Sequence, residues 1–432
     1  MKSSLRNLQN ELEGELHTDS LSKAIYATDA SVYRELPIGV AYPKNIKDLK
    51  KIIHFCTQNR IGVIPRAAGT SLAVQCVGKG IVVDISKYFT EILDFNQAEQ
   101  TIVVQPGVIR DDLNRQIKST NLFLGPNTST SNRAMIGGMV GNNSSGTTSI
   151  KYGVTRDKVI ELQAILSDGS QVVFKEIGVE EFRKKMNLKT LEGNIYRKIF
   201  QQLSSKEAQK TIIQNFPKPE IHRRNTGYAI DKLIDSQIFS SSDKKFNMCE
   251  LLCGSEGTLA FITQIKLKLD PLPPENRVMV AAHFSDISTC LNAVEPVMQH
   301  DLYTCEMMDK TILDCTKNNL KYVKNRFFIQ GDPKAILMLE ICHEEEEKLQ
   351  DELNKLLKTL EENTESYSNA LISGPEIELV LDLRKAGLGL LGNMVGDKKT
   401  VACIEDTAVA LQDLANYITD FTKLMDKHQQ PA

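Results

Sequence analysis

Pro65-Arg66-Ala67-Ala68-Gly69-Thr70-Ser71-Leu72 lies between two apolar runs, Ile61–Ile64 and Ile81–Ile85, and that placement decides how the rest of the chain reads. A strand, a tight loop of small residues and a second strand expose a row of backbone N–H groups to an anion. Gly69 permits φ > 0, and the small side chains of Ala67, Ala68 and Ser71 allow close approach. Thr70 and Ser71 add hydroxyl donors. No G-K-[ST] follows, so the loop is not a nucleotide-triphosphate P-loop, and it lacks the G-x-G-x-x-G dinucleotide pattern.

Two further patches share this character. Gly125–Gly153 reads GPNTSTSNRAMIGGMVGNNSSGTTSIKYG, rich in Gly, Ser, Thr and Asn yet interrupted by Met135-Ile136 and Met139-Val140. Gly254–Leu259 reads GSEGTL and runs into the alternating segment Ile262–Leu269, a half-buried strand. Asp270-Pro-Leu-Pro-Pro274 then marks a boundary, because proline cannot continue a sheet ladder.

Around these patches the pattern is mixed. Leu5–Leu16 reads as an amphipathic helix, and Ile46–Arg60 as the helix of a βαβ-like unit with Asn45 as N-cap. Strands are expected at Ile81–Ile85, Glu91–Phe95 and Thr101–Gln105, a helix at Ile109–Thr120, and a hairpin joining Val159–Leu166 to Gln171–Phe174 about Ser167–Ser170. Residues 178–243 are polar, with helical patterning at Gly193–Leu203. Beyond Pro274 the expectation is α/β: strand Val278–Phe284, helix Ile287–His300, strands Tyr303–Met308 and Ile336–Ile341, helix Glu344–Leu360, and a last helix at Val409–Lys427.

Composition narrows the function class. The 432 residues, 41% hydrophobic and 25% charged, describe a globular chain large enough for two or three cores. Its 52 basic and 55 acidic residues leave a net charge of −3, which gives no electrostatic footprint for nucleic acid or an anionic membrane. No run reaches the roughly 18–20 apolar residues of a membrane span, and the N-terminus lacks a signal-peptide core. The nine cysteines include no C-x-x-C pair, so reduced thiols and no metal site are expected.

In order and spacing the three patches resemble the FAD-binding module of the vanillyl-alcohol oxidase / p-cresol methylhydroxylase superfamily. The branch they resemble is the D-2-hydroxy-acid dehydrogenases acting on D-lactate, glycolate or D-2-hydroxyglutarate. The resemblance implies an α+β architecture: a 1–36 leader, a 37–272 FAD-binding domain of two α/β subdomains, and a partial, ferredoxin-like α/β cap at 273–432. It assigns FAD contacts to Arg66, Ala67, Ala68, Gly69, Thr70, Ser71 and Leu72, to Pro126 and Asn127 over the isoalloxazine edge, and to Ile136, Gly137 and Gly138. Asn142, Ser145, Gly146, Tyr152 and Gly153 follow, then Glu256, Gly257 and Ile262. Glu256 either accepts from ribose hydroxyls or caps its own turn. Relatives with covalent flavin often carry histidine where Thr70 stands, so non-covalent FAD is expected, with Cys76 as the one alternative link.

The same resemblance places Arg223 and Arg224, in IHRRNTGY beside His222, at the border of an active site. They would clamp a substrate carboxylate there, unless they form a basic turn paired with local acids. Arg384, before Glu405-Asp406, resembles the cap arginine that holds the hydroxy-acid carboxylate. The implied reaction sends the Cα hydride to flavin N5 while a base takes the hydroxyl proton. Electrons would pass to a quinone or an iron–sulfur partner. The family's H-x-G-x-G-x-x-H segment does not occur before Ala432, so the expectation is the flavin half of a longer flavin plus iron–sulfur protein. Any iron–sulfur or divalent metal would lie outside this chain, and the location would be cytoplasmic or peripheral at the inner membrane face. The competing expectation is an FAD-binding electron-transfer subunit without its own base; were a base to lie within these residues, His222 would be the first candidate and His428 the second. An NADPH-dependent enolpyruvyl-glucosamine reductase is a third reading, but the cap does not resemble theirs.

Overall fold

The computed structural model describes residues 2–225, 227–392, 396–397, 401, 404 and 407–430. Glu405 and Asp406 lie outside the described residues. The chain divides into two compact units: 1–146 with 153–218 and 223–271, and 147–152 with 219–222 and 272–432.

The first unit holds two sheets. In the first, β1 (Glu15–His17), β2 (Gly39–Tyr42), β3 (Gly62–Arg66) and β4 (Gly80–Asp84) run in the order β1-β2-β4-β3, with β2 and β3 both parallel to β4. The helix Ile46–Asn59 crosses between β2 and β3. Asn45 caps it by accepting from the Asp48 amide at 3.0 Å, and Leu49, Ile52, Ile53 and Cys56 turn its apolar face inward. β4 is buried at every position, as a central parallel strand must be. β3 is an edge strand, so Pro65 can sit in it with no ladder bond lost.

The second sheet is antiparallel throughout. It is built from β5 (Ile92–Asn96), β6 (Thr101–Val104), β8 (Val159–Ile165), β9 (Gln171–Ile177), β10 (Phe246–Asn247) and β11 (Phe261–Lys268), in the order β10-β9-β8-β11-β6-β5. A small ribbon pairs β7 (Leu122–Phe123) with β12 (Asp270–Pro271), so the proline-rich boundary begins inside a two-residue strand. β11 buries alternate residues, as its period-2 pattern requires. The stretch 178–243, in which only Gly193–Leu203 stood out, carries helices at Val179–Met186, Leu191–Leu203, Lys206–Asn215 and Ile230–Ile234.

One expectation fails early. The first helix spans only Lys2–Glu11, and Leu16 lies on β1 with 1% of its surface exposed. The cause is Asp48, fully buried, whose carboxylate accepts from the amides of Glu13 (3.0 Å), Gly14 (2.9 Å) and Lys44 (3.0 Å). A leucine every four residues cannot reveal a carboxylate that captures the backbone from 34 residues away.

The second unit contains a four-stranded antiparallel sheet: β13 (Asn276–Phe284), β14 (Thr304–Asp309), β15 (Ala335–His343) and β16 (Ser368–Ser373), in the order β14-β15-β13-β16. This is the strand order of a ferredoxin-like βαββαβ unit. The helices Ile287–Asn292, Val294–Val297 and Glu346–Asn363 supply the crossovers, and the last lays Leu349, Leu353, Leu356 and Leu360 on one face of the sheet. The continuous helix expected at Ile287–His300 breaks at Ala293, because Pro296 has no N–H for the carbonyl of Asn292. β16 escaped the sequence reading: its Ser-Asn-Ala-Leu-Ile-Ser carries little apolar alternation, and only Ile372 is buried.

The eight described cysteines are free thiols, and Cys56, Cys76, Cys249, Cys253 and Cys290 are buried. Desolvation pushes the thiols of Cys56, Cys253, Cys290, Cys305 and Cys342 up to about 12. Among the described residues no helix is long and apolar enough to cross a membrane.

Candidate functional site

The chain leaves β3 at Arg66, whose carbonyl takes the Ile85 amide at 3.1 Å, and turns immediately. Gly69 sits at φ +66, in the left-handed region that favours glycine. Val74, β-branched and at φ +60, is a strained position that survives only where its surroundings over-determine it. After Arg66, the amides of Ala67, Ala68, Gly69, Thr70, Ser71 and Leu72 donate to no protein acceptor among the described residues. All six residues are half-buried. A run of half-buried donors left open in this way suits an anion.

The second patch contains a helix that its glycines concealed. Ile136–Asn142 is helical, with Ile136, Met139 and Val140 buried, so the apolar interruptions were a helical face at i, i+3 and i+4. Ile136 and Gly137 are anchored by their amides to the carbonyls of Val108 (2.9 Å) and Pro106 (2.7 Å). The Gly138 amide has no such partner among the described residues, nor do those of Ser145 and Gly146. A Cβ on Gly138 would stand 3.3 Å from the Ala67 Cβ, so this first helical turn lies against the Arg66–Leu72 loop. A side chain bridge ties the two together: Gln75 accepts from Ser71 Oγ at 2.8 Å and donates to Asn142 Oδ1 at 3.0 Å, and Asn142 donates to Ser144 Oγ at 3.1 Å.

Pro126 and Asn127 join from the other side. Arg110 donates to the carbonyls of Leu124 (2.7 Å) and Pro126 (3.2 Å) and so fixes that segment. A Cβ on Gly146 would fall 2.1 Å from the Asn127 carbonyl oxygen, so no other residue fits there. The third patch closes the group. The amides of Gly254 and Glu256 donate to the carbonyls of Val140 (3.0 Å) and Gly141 (2.8 Å). A Cβ on Gly257 would be 3.0 Å from Pro65 Cγ. Glu256 itself is at φ +55, its side chain exposed and without a hydrogen bond among the described residues. Ile262 lies on β11 beside the register shift opposite β8.

Three residues outside the expected FAD contacts are central to this assembly. Arg156, buried, donates to the carbonyls of Glu250 (3.0 Å) and Cys253 (2.6 Å) and steadies the approach to Gly254. Asn143, at φ +51, ends the helix and takes the Arg156 amide on its side chain at 2.9 Å. Asn225 accepts from Asn143 Nδ2 at 2.8 Å, which ties Asn225 to the patch. The asparagine repeat Asn142-Asn143 was the available clue, because asparagine is the residue after glycine that best tolerates a left-handed helix end.

The other expected site residues are arranged differently. Tyr152 belongs to the second unit, edge-on to Tyr303 at 5.9 Å, while Gly153, at φ +71, belongs to the first. Arg224 forms an ion pair with Asp231 and donates to the Pro217 carbonyl at 3.0 Å, as the paired-turn alternative expects. Arg223 and His222 are exposed. Arg384 forms an ion pair with Glu306 within the second unit. Cys76 is buried with its Sγ 3.7 Å from Asp29, and burial pushes its thiol up to about 11. A thiol so reluctant to ionise is a poor nucleophile toward a flavin.

Amides left open among the described residues suit a diphosphate held by backbone donors. Family comparison agrees. The FAD binding domain model matches residues 37–175, and the model for the FAD linked oxidases, C-terminal domain, matches 273–431. The D-2-hydroxyglutarate dehydrogenases of Haemophilus influenzae and Escherichia coli are each 31% identical, over 96% and 98% of this chain. They are covered over only 41% and 42% of their own length, so the chain spans about two-fifths of these relatives. The glycolate oxidase subunit GlcD of Bacillus subtilis is 23% identical over 94% of this chain and 72% of its own. Among solved structures, an alkyldihydroxyacetonephosphate synthase superposes with a TM-score of 0.64 at 14% identity, over 99% of this chain and 76% of that one. A BBE-like protein of Physcomitrella patens gives 0.55 at 12% identity, over 88% and 64%. At such identities these two report the fold alone, which is of the vanillyl-alcohol oxidase / p-cresol methylhydroxylase type. Residues 37–175 thus match an FAD binding domain, and residues 273–431 the C-terminal domain of the FAD linked oxidases.

Proposed function

We propose that the chain is the flavin part of an FAD-dependent dehydrogenase that oxidises a D-2-hydroxy acid, of the 2-hydroxyglutarate or glycolate class, to the 2-oxo acid. The observation that carries the reading is the row of six half-buried amides from Ala67 to Leu72 that no protein acceptor uses among the described residues. In this proposal those amides, with Gly138, Ser145 and Gly146, hold the FAD pyrophosphate non-covalently. Pro126, Asn127, Ile136, Gly137, Asn142 and Ile262 shape the pocket walls. Tyr152 and Gly153 close the second patch. Glu256 and Gly257 form its floor through their backbone, because the Glu256 amide is committed to Gly141. When bound, the flavin supplies the hydride acceptor. The division of labour follows the expected boundaries, with 37–272 for the cofactor and 273–432 for the acid.

Arg384, Arg223 and Arg224 remain the candidates to orient a carboxylate, and His222 to take the hydroxyl proton. The Arg384 guanidinium is already paired with Glu306, and that of Arg224 with Asp231. That observation favours the second reading, a flavin-binding, electron-transferring part whose base and acceptor site, quinone or iron–sulfur, lie elsewhere. Denaturing the FAD-loaded chain with acid separates bound from bonded cofactor: yellow supernatant is expected, and colour kept in the pellet would refute the non-covalent assignment. Stopped mixing with D-2-hydroxyglutarate separates the two functional readings, since bleaching of the flavin requires a base within these residues. Absence of bleaching supports the electron-transfer reading.

A further inference from the structure

The segment Tyr26–Ser31 lies outside the three glycine patches, yet it grips the anion loop at both ends. At the loop's start, Arg66 donates through Nη1 to the Thr28 carbonyl at 2.8 Å, and its guanidinium lies over the Tyr26 ring, 4.9 Å from the centroid. The same guanidinium lies behind Gly69, where an added Cβ would come within 2.6 Å of Nη2. At the loop's end, the Cys76 thiol donates to Asp29 Oδ2 at 3.7 Å, while Asp29 Oδ1 accepts from the Ser31 amide at 2.8 Å. Tyr26 is itself immobilised: its hydroxyl donates to the buried Asp84 and meets the Tyr42 hydroxyl at 2.8 Å. Asp84 is the β4 residue in register with Arg66, so strap and loop are referred to one strand.

Open amides make an anion site only while they point the same way, and a glycine-centred loop has many alternatives. The strain at Val74, between the two grips, shows that the loop is held rather than relaxed. We propose that Tyr26–Ser31 is a strap that keeps the Ala67–Leu72 amides in anion-binding register. Tyr26 acts on the loop through Arg66, and Asp29 acts through Cys76. Both are positioning residues and neither touches the ligand. The proposal rests on the reading of this loop as the pyrophosphate site.

The test uses the 432-residue chain freed of flavin, titrated with FAD and then competed with ADP and with adenosine. Tyr26→Leu and Asp29→Ala should each weaken FAD and ADP by about tenfold, the scale of a lost cation–π or buried polar contact. Adenosine, which lacks the diphosphate, should stay within about twofold, and Tyr26→Phe, which keeps the ring under Arg66, should stay close to wild type for all three. A merely structural role would weaken adenosine and ADP alike, and that result overturns the strap. So does ADP binding unchanged in both variants. If Tyr26→Leu does not fold, Asp29→Ala decides alone. Gly69→Val separates the layers: ADP binding unaffected by it refutes the loop as the site. ADP binding lost in Gly69→Val but intact in Tyr26→Leu and Asp29→Ala refutes only the strap.

Discussion

Three glycines of one patch offer a graded test of whether the second patch is glycine-rich for close approach or merely for looseness. Alanine at Gly146 would place its methyl 2.1 Å from the Asn127 carbonyl oxygen and 2.8 Å from its carbon, both backbone atoms. An ordinary contact is about 3.5 Å, so the two segments must part by more than 1 Å or strain in place. A displacement of about 1 Å at a positioned site costs on the order of 10² in binding or rate, and overpacking of this kind costs about 1–3 kcal/mol of stability. At Gly138 the nearest atom is the Ala67 Cβ at 3.3 Å, which demands a shift of only tenths of an ångström. At Gly141 the nearest atoms are 3.9 Å away, so alanine is accommodated and its better helix propensity adds up to about 1 kcal/mol. The expected order for loss of FAD affinity is Gly146→Ala far above Gly138→Ala, with Gly141→Ala unchanged. Thermal midpoints of the flavin-free proteins should fall, change little and rise respectively. The assay is flavin fluorescence titration beside a melting curve for each variant. Gly146→Ala binding FAD as tightly as Gly141→Ala would refute the argument from close approach.

Other outcomes follow from single interactions. Asp48→Ala should lower stability by about 3 kcal/mol in urea unfolding, because the amides of Glu13, Gly14 and Lys44 lose the buried carboxylate they share; a loss below about 0.5 kcal/mol, the scale of an ordinary surface change, would refute it. Hydrogen bonds from Lys87, then His17 and Tyr88, hold the Glu15 carboxyl down to about 2. Its contribution to stability is therefore complete above the ordinary glutamate range and disappears as pH falls from there toward 2. The urea midpoints of wild type and Glu15→Gln should accordingly differ at pH 6 and converge near pH 2. Glu306→Gln should release the Arg384 guanidinium; if that arginine receives the substrate carboxylate, the flavin spectrum of the variant should respond to lower concentrations of D-2-hydroxyglutarate than the wild type's. An unaltered concentration dependence would remove Arg384 from the acid site.

What the sequence made legible was local. The Arg66–Leu72 loop, the Asn45 cap, the Ser167–Ser170 hairpin and the cap strands other than β16 each follow from turn chemistry or apolar period within a few residues. What escaped it depends on partners far along the chain. Asp48 ends a helix that begins at residue 2, and Arg156 secures a turn near residue 254; neither leaves a periodic trace. The helix Ile136–Asn142 was hidden by its own glycines, although Ile136, Met139 and Val140 already marked its buried face. For the site, the residue types pointed to an anion, while the engagement of Arg224 and Arg384 with Asp231 and Glu306 could only be seen in three dimensions.

The buried, proton-retaining thiols turn the chain into its own unfolding reporter. A thiol pushed up to about 12 reacts with iodoacetamide only when its surroundings open, so labelling rate measures the opening equilibrium rather than the sulfur's chemistry. Cys56, Cys249 and Cys253 sit in the first unit and Cys290 in the second, so peptide mapping after timed alkylation yields a separate opening free energy for each. Repeating the measurement with FAD present would show which of the two units the cofactor clamps shut, with no engineered label and no loss of a native residue.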